Sequence, residues 1–157
     1  PEMSKVTYSK SEALSAQSAR LIAEEEARIH GFKEMIRRML AKQGGASNLM
    51  LFGLRLHVTP QDSALAARSI EEGGEYSVQA VSDRIMEMAK VLAGGDASKI
   101  GVLRQAVEDG FAAAGVDLGG ELPEISKQTY AEVMRRFDAW QSESAAPAAA
   151  QSGTTTE

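Results

Sequence analysis

From Ser11 to Gln43 the apolar side chains Leu14, Leu21, Ile22, Ile29, Phe32, Met35, Ile36, Met39 and Leu40 recur at spacings dominated by three, four and seven. That period lays them along one stripe of an amphipathic helix. Ile22, Ile29 and Ile36 stand at strict seven-residue intervals. Glu24 with Arg28 and Glu34 with Arg38 are acid-before-base pairs one turn apart, which support a helix. Arg37, Arg38 and Lys42 lie near its end, where cations complement the dipole. The pattern predicts a long amphipathic helix over 11–43, after a flexible N-terminus at 1–10. Gly31 weakens its middle by up to ~1 kcal/mol relative to alanine. A continuous helix of this kind is about 50 Å long. That exceeds the width of a domain of this size, so it must project, break near Gly31, or pack on another chain.

Glycine pairs punctuate the rest of the chain. Gly44-Gly45, Gly73-Gly74 and Gly94-Gly95 each come after a helical pattern, and Gly119-Gly120 lies in a loop. Glycine suits the residue just past a helix, so the pairs read as stops. Between the first pair and Val58, the residues Phe52, Leu54, Leu56 and Val58 alternate with Gly53, Arg55 and His57. Such alternation marks a short strand or an extended connector, and 44–58 is assigned to a connector.

From residue 59 onward the chain reads as a helical bundle over 59–141. Thr59-Pro60-Gln61-Asp62 combines a cap, a first-turn proline and an early acid. It starts a helix through Leu65 and Ile70 to Gly73. Ser77 can cap a second helix with Val78, Val81, Ile85, Met88 and Leu92 inward. Asp96 can cap a third with Ile100, Leu103, Val107, Phe111 and Ala114 inward, ended by Gly115. Ser126 can cap a fourth with Tyr130, Val133, Phe137 and Trp140 inward. Amphipathic helices on short connections must bury their stripes on one another. The final stretch, 142–157, has no large apolar residue to offset its ordering entropy and reads as a disordered tail. The fold class expected is therefore all-α.

Composition removes several classes of function. The 157 residues include 17 Lys+Arg against 22 Asp+Glu, a formal charge of −5, and no cysteine. Disulfides, zinc–thiolate sites and thiol nucleophiles are excluded. The acidic balance lacks the cation excess that drives nonspecific nucleic-acid binding and the polybasic segment that anionic lipid requires. The longest wholly apolar run, Leu49 to Phe52, is far short of the ~20 residues that span a bilayer. No signal-peptide pattern opens the sequence. A cytoplasmic location is expected, with surface association or export without a cleavable signal as the alternative.

The segment from His57 to Trp140 resembles a family of bacterial helical domains of unknown function, some of whose members are labelled hydrogenase-4 component G-like. The phrases that carry the resemblance are Val58-Thr-Pro-Gln-Asp62, Glu72-Gly-Gly-Glu-Tyr-Ser-Val78, Ala80-Val-Ser-Asp-Arg-Ile85, Ala93-Gly-Gly-Asp-Ala-Ser-Lys99, Glu108-Asp-Gly-Phe111, Leu122-Pro-Glu-Ile-Ser-Lys-Gln-Thr-Tyr130 and Phe137-Asp-Ala-Trp140. They cover about half of the chain. The resemblance implies a helical domain in cytoplasmic or surface-associated bacterial proteins. It brings no catalytic residue. The hydrogenase label carries little weight, because no cysteine is present to hold nickel or an iron–sulfur cluster.

The chemical motifs are sparse. His30 and His57 lack metal-ligand spacing. Glu24-Glu25-Glu26 point ~100° apart on a helix and do not converge on one ion. Asp83 and Glu87 share a face, but Arg84 and Lys90 nearby make them ordinary surface charge. Ala93-Gly-Gly-Asp-Ala-Ser-Lys99 lacks the spacing and preceding strand of a phosphate loop. No GxSxG and no organised serine–base pair is present. Residues 78–114 could form a helix-turn-helix, but its second helix offers only Lys99 and Arg104 against Glu108 and Asp109. No catalytic, metal or cofactor site is assigned. The functional expectation is a non-enzymatic interaction module that binds a protein partner or a second copy through the N-terminal helix. Its anchors would be Phe32, Met35, Ile36 and Met39, in a coiled-coil-like seam. Ser15, Gln17, Ser18, Ala23 and Ala27 weaken the first half of that seam. Burial of the stripe on the bundle of the same chain is the alternative. An enzyme of unrecognised type and a DNA-binding helix-turn-helix protein are the competing functions.

Overall fold

The protein is described by a computed structural model, which gives the backbone of residues 2–52 and 59–155 and the side chains of 13–49 and 59–145. Five α-helices succeed one another: α1 Glu2–Phe52, α2 Pro60–Ile70, α3 Val78–Ala93, α4 Ile100–Asp117 and α5 Glu124–Thr155. A single 3-10 turn, Ala97–Lys99, leads into α4. There is no strand among the described residues, and the fold is all-α.

The helix starts obey local chemistry. The Thr59 hydroxyl accepts from the Asp62 amide at 3.2 Å, with Pro60 in the first turn. The Ser77 hydroxyl accepts from the Ala80 amide at 3.1 Å. Asp96 caps the 3-10 turn through the Ser98 amide at 3.0 Å. Gly94 closes α3 in the left-handed conformation, φ 57°, where a side chain would be strained.

Contacts between helices set their directions. Glu25 lies by Lys99, Lys33 by Asp109 and Arg37 by Asp117, so α1 and α4 run the same way. Arg104 meets Asp138 and Phe111 meets Tyr130, so α5 runs against α4. Asp83 meets Arg136 and Lys90 lies over Trp140, which sets α3 alongside α5. Their shared core contains Phe32, Ile36, Leu40, Val81, Ile85, Leu103, Val107, Val133 and Phe137.

Several expectations change. Gly44-Gly45 does not stop α1, which runs on to Phe52. The apolar period itself continues across the pair, since Ile36, Leu40, Gln43 and Ser47 succeed one another at steps of three and four and all are buried. Gly44 is there for proximity: a Cβ would meet Leu118 Cδ1 at 2.5 Å and Pro123 Cγ at 3.3 Å. The connector assigned to 44–58 is thus helical through 52, and the alternation over 53–58 lies outside the described residues. The N-terminal turn assigned as flexible is helical from Glu2, continuous with the rest of α1. At the other end α5 does not stop near Trp140. It continues to Thr155 through an alanine-rich stretch, alanine being the best helix former.

Some residue assignments also move, Met88 among the inward ones. On α2 Ala66 is buried while Leu65 is exposed, and on α3 Met86 and Ala89 are buried while Met88 is exposed. Ser126 is not a cap; α5 begins at Glu124, and the Ser126 side chain is buried in its first turn. Gly115 is internal to α4, where it packs by Leu122.

Candidate interaction face

The four residues expected to meet a partner are brought together, but inside the molecule. Phe32 is 2% exposed, Ile36 0% and Met39 9%, and Met35 is half-buried against the same cluster. They cannot anchor another chain while the bundle is folded. The reason is Gly110: a Cβ there would stand 3.0 Å from Ile36 Cγ2 and 3.2 Å from the Lys33 carbonyl. Its absence lets α4 lie close on α1 and cover this part of the stripe.

Polar chemistry binds the next turn. Gln43 is fully buried, and its Nε2 donates to the Tyr76 carbonyl at 3.0 Å and to Thr129 Oγ1 at 2.9 Å. Ser126 Oγ donates to Gln43 Oε1 at 3.0 Å, and Thr129 Oγ1 donates to the Ile125 carbonyl at 2.9 Å. One amide thus ties α1 to the α2–α3 loop and to α5, with its donors and acceptor engaged as burial demands. Sequence reasoning missed Gln43, although its place three residues after Leu40 and seven after Ile36 was a usable signal.

The stripe outlasts its cover. Toward the N-terminus, Ile29 is half-buried, whereas Ile22 is 60% exposed, Leu21 57% and Leu14 64%. α4 begins level with Glu25, which pairs with Lys99 at 3.4 Å, so nothing of α4 reaches the turns above. At the edge of the cover, Ile22, Ile29 and Val102 line an open groove of about 510 Å³, rimmed by Glu25, Glu26, His30 and Lys33. Val102 is itself 55% exposed.

The other motifs resolve into structure. His30 is exposed on the groove rim, and His57 lies outside the described residues. Asp83 engages Arg136 at 2.6 Å. Lys99 is held by Glu25, and Arg104 by Asp138 and Gln141 at 2.7 and 3.1 Å. Both bases of the would-be recognition helix are therefore committed within the chain. A cleft of about 880 Å³ between α3, α5 and the α2–α3 loop is lined by Ile70, Val78, Ile125, Asp83 and Glu132. Its two carboxylates at the α3–α5 contact share Arg136. Among the described residues, no three acidic or histidine side chains group as a metal site, and no helix is long and apolar enough to cross a membrane.

Hydrogen bonding sets the perturbed ionisations. Arg37 makes a two-pronged pair with Asp117 across α1 and α4, one arm at 2.6 Å. That pair lowers the Asp117 carboxyl below its usual range and raises the guanidinium. Gln105 and then Lys33 lower Asp109 in the same way. No protein-family model matches the chain, and neither a curated protein nor a solved structure matches it.

Proposed function

We propose that this protein is a non-enzymatic helical interaction module, and that its docking face is the upper part of α1, not the seam at 32–39. The observation that carries this reading is the mismatch between stripe and cover. One continuous apolar line runs along α1, the bundle buries it from Ile29 downward, and Leu14, Leu21 and Ile22 stand free. Apolar residues at helical spacing on a projecting helix are the form in which one helix offers itself to a groove or to another helix. The surrounding ion pairs join elements of the bundle to each other, which is an architectural role. The resemblance to a bacterial helical family, carried by the phrases between His57 and Trp140, fits a module of this kind and supplies no chemistry. A cytoplasmic setting and a protein partner belong to the same proposal.

Leu21→Asp/Ile22→Asp tests it, since both residues are exposed and the bundle should stay folded. Wild type and variant are immobilised and exposed to a lysate of the producing cells, and the retained proteins are quantified. The reading expects at least one species, a second copy included, to fall tenfold or more with the variant. Equal retention of every species by both would overturn it.

A further inference from the structure

We infer that the cleft between α3, α5 and the α2–α3 loop is a docking site for an extended peptide segment in which arginine or lysine alternates with aliphatic residues. The site is separate from the exposed face of α1. Its volume of about 880 Å³ falls within the ~300–1,000 Å³ range of ligand pockets. Charge is the first reason for this occupant. The ionisable side chains that line the cleft are Glu72, Asp83 and Glu132, with no Lys, Arg or His beside them. On the α3–α5 wall two bases balance two acids. Arg135 donates to both oxygens of Glu132, and Arg136 donates to Asp83 Oδ1 at 2.6 Å. Glu72, on the loop, is exposed and joins none of the ion pairs among the described residues. Of its neighbouring cations, Arg68 joins none either, and Arg84 donates to the Glu75 carbonyl at 2.7 Å and lies over the Tyr76 ring. The run Glu71-Glu72-Gly73-Gly74-Glu75 therefore makes an acidic lip beside a neutral wall.

Two further groups in the same cleft select a peptide over a simple cation. Ile70, Val78 and Ile125 come from α2, α3 and α5, and each is only half-buried. Aliphatic side chains laid on them would remove that surface from water. Val78 and Gln79 open α3, so their backbone amides have no acceptor within the helix. The Ser77 hydroxyl serves the Ala80 amide instead. A peptide backbone brings carbonyls to such donors. In an extended segment successive side chains point to opposite sides. That alternation lets the cations face the loop while the aliphatic residues face the wall, and the long stem of arginine or lysine adds apolar contact of its own.

The probe is a capped tetrapeptide of alternating leucine and arginine, titrated into the full isotope-labelled chain and followed by amide chemical shifts. Saturable shifts are expected at Gly73, Gly74, Val78, Gln79 and Gln128, with half-saturation at roughly 0.1–1 mM for so open a site. Glu72→Lys changes an exposed loop position and should raise the half-saturation point tenfold or more. Gln128→Lys, at an exposed position of α5 on the same cleft, should do the same. A leucine–glutamate tetrapeptide should bind at least tenfold more weakly, and Leu21→Asp/Ile22→Asp should leave binding unchanged. No saturable shift by about 10 mM, equal binding of the two peptides, or binding indifferent to Glu72→Lys would overturn the inference. Shifts confined to α1 above Ile29, or binding lost with Leu21→Asp/Ile22→Asp, would place the peptide on the other face and overturn it as well.

Discussion

At the residue scale, the informative positions are those where sequence type and environment disagree. Gln43 is a long polar side chain with no exposure, and its amide has three partners in other elements. Gln43→Ala would strand the Ser126 hydroxyl and the Tyr76 carbonyl, and leave a cavity. A loss of about 2–4 kcal/mol is expected by urea denaturation. Glycines divide by the space around them. Gly110→Ala would drive a methyl into Ile36 and the Lys33 carbonyl, and should cost about 1–3 kcal/mol despite alanine's better helix propensity. Gly31→Ala meets nothing within 4 Å, and should stabilise α1 by up to ~1 kcal/mol. Equal shifts in the two unfolding midpoints would show that Gly110 is not a packing residue. Propensity alone separates these glycines no better than it separated Gly44 from Gly94, because what differs is a neighbour from another element.

At the element scale, α3, α4 and the first half of α5 were legible because their stripes are complete within single helices. Val81, Ile85, Leu103, Val107, Phe111, Val133 and Phe137 are buried as their spacing predicts. The end of α1 was not legible, since glycine pairs that end helices and glycines that admit Leu118 look alike in one dimension. The stripe on α1 was legible as a stripe, but not which of its turns α4 covers. Phe32 and Ile36 therefore change from surface anchors to core. Ile36→Asp should yield no folded protein by circular dichroism, because it buries an unpaired charge. Phe32→Ala should cost about 3–5 kcal/mol. The α1–α4 contact also has a pH dependence. Asp117 is more acidic in the folded chain than in an unfolded one, through Arg37. Its stabilisation is present above the unfolded carboxylate pKa, ~3.9, and is lost as pH falls through the lower folded value. The midpoint in urea should fall between about pH 5 and pH 2.5, and Asp117→Asn should lower it at about pH 5 while shrinking that acid-induced drop. An undiminished drop would place the acid sensitivity in other carboxylates.

At the scale of the whole molecule, the unequal lengths of α1 and the bundle become the central fact. A helix of 51 residues is about 75 Å long, yet the core begins only near Ile29. The turns from 13 to 24 are exposed at every position, so little burial energy from the bundle holds them helical. Isolated helical segments of such length are marginal in water. That physics dictates two behaviours. A chain beginning at Glu24 should keep the thermal midpoint of the full chain to within about 2 °C, because the removed turns contribute no buried surface to the core. The full chain should show fast hydrogen exchange across 13–24, while α3 and α4 stay protected. A midpoint that drops on truncation would mean that these turns pack on the bundle in solution. Slow exchange across those turns would mean the same. Fast exchange with an unchanged midpoint separates the two parts of α1: its lower turns complete the core, and its upper turns keep an apolar face that the bundle does not use.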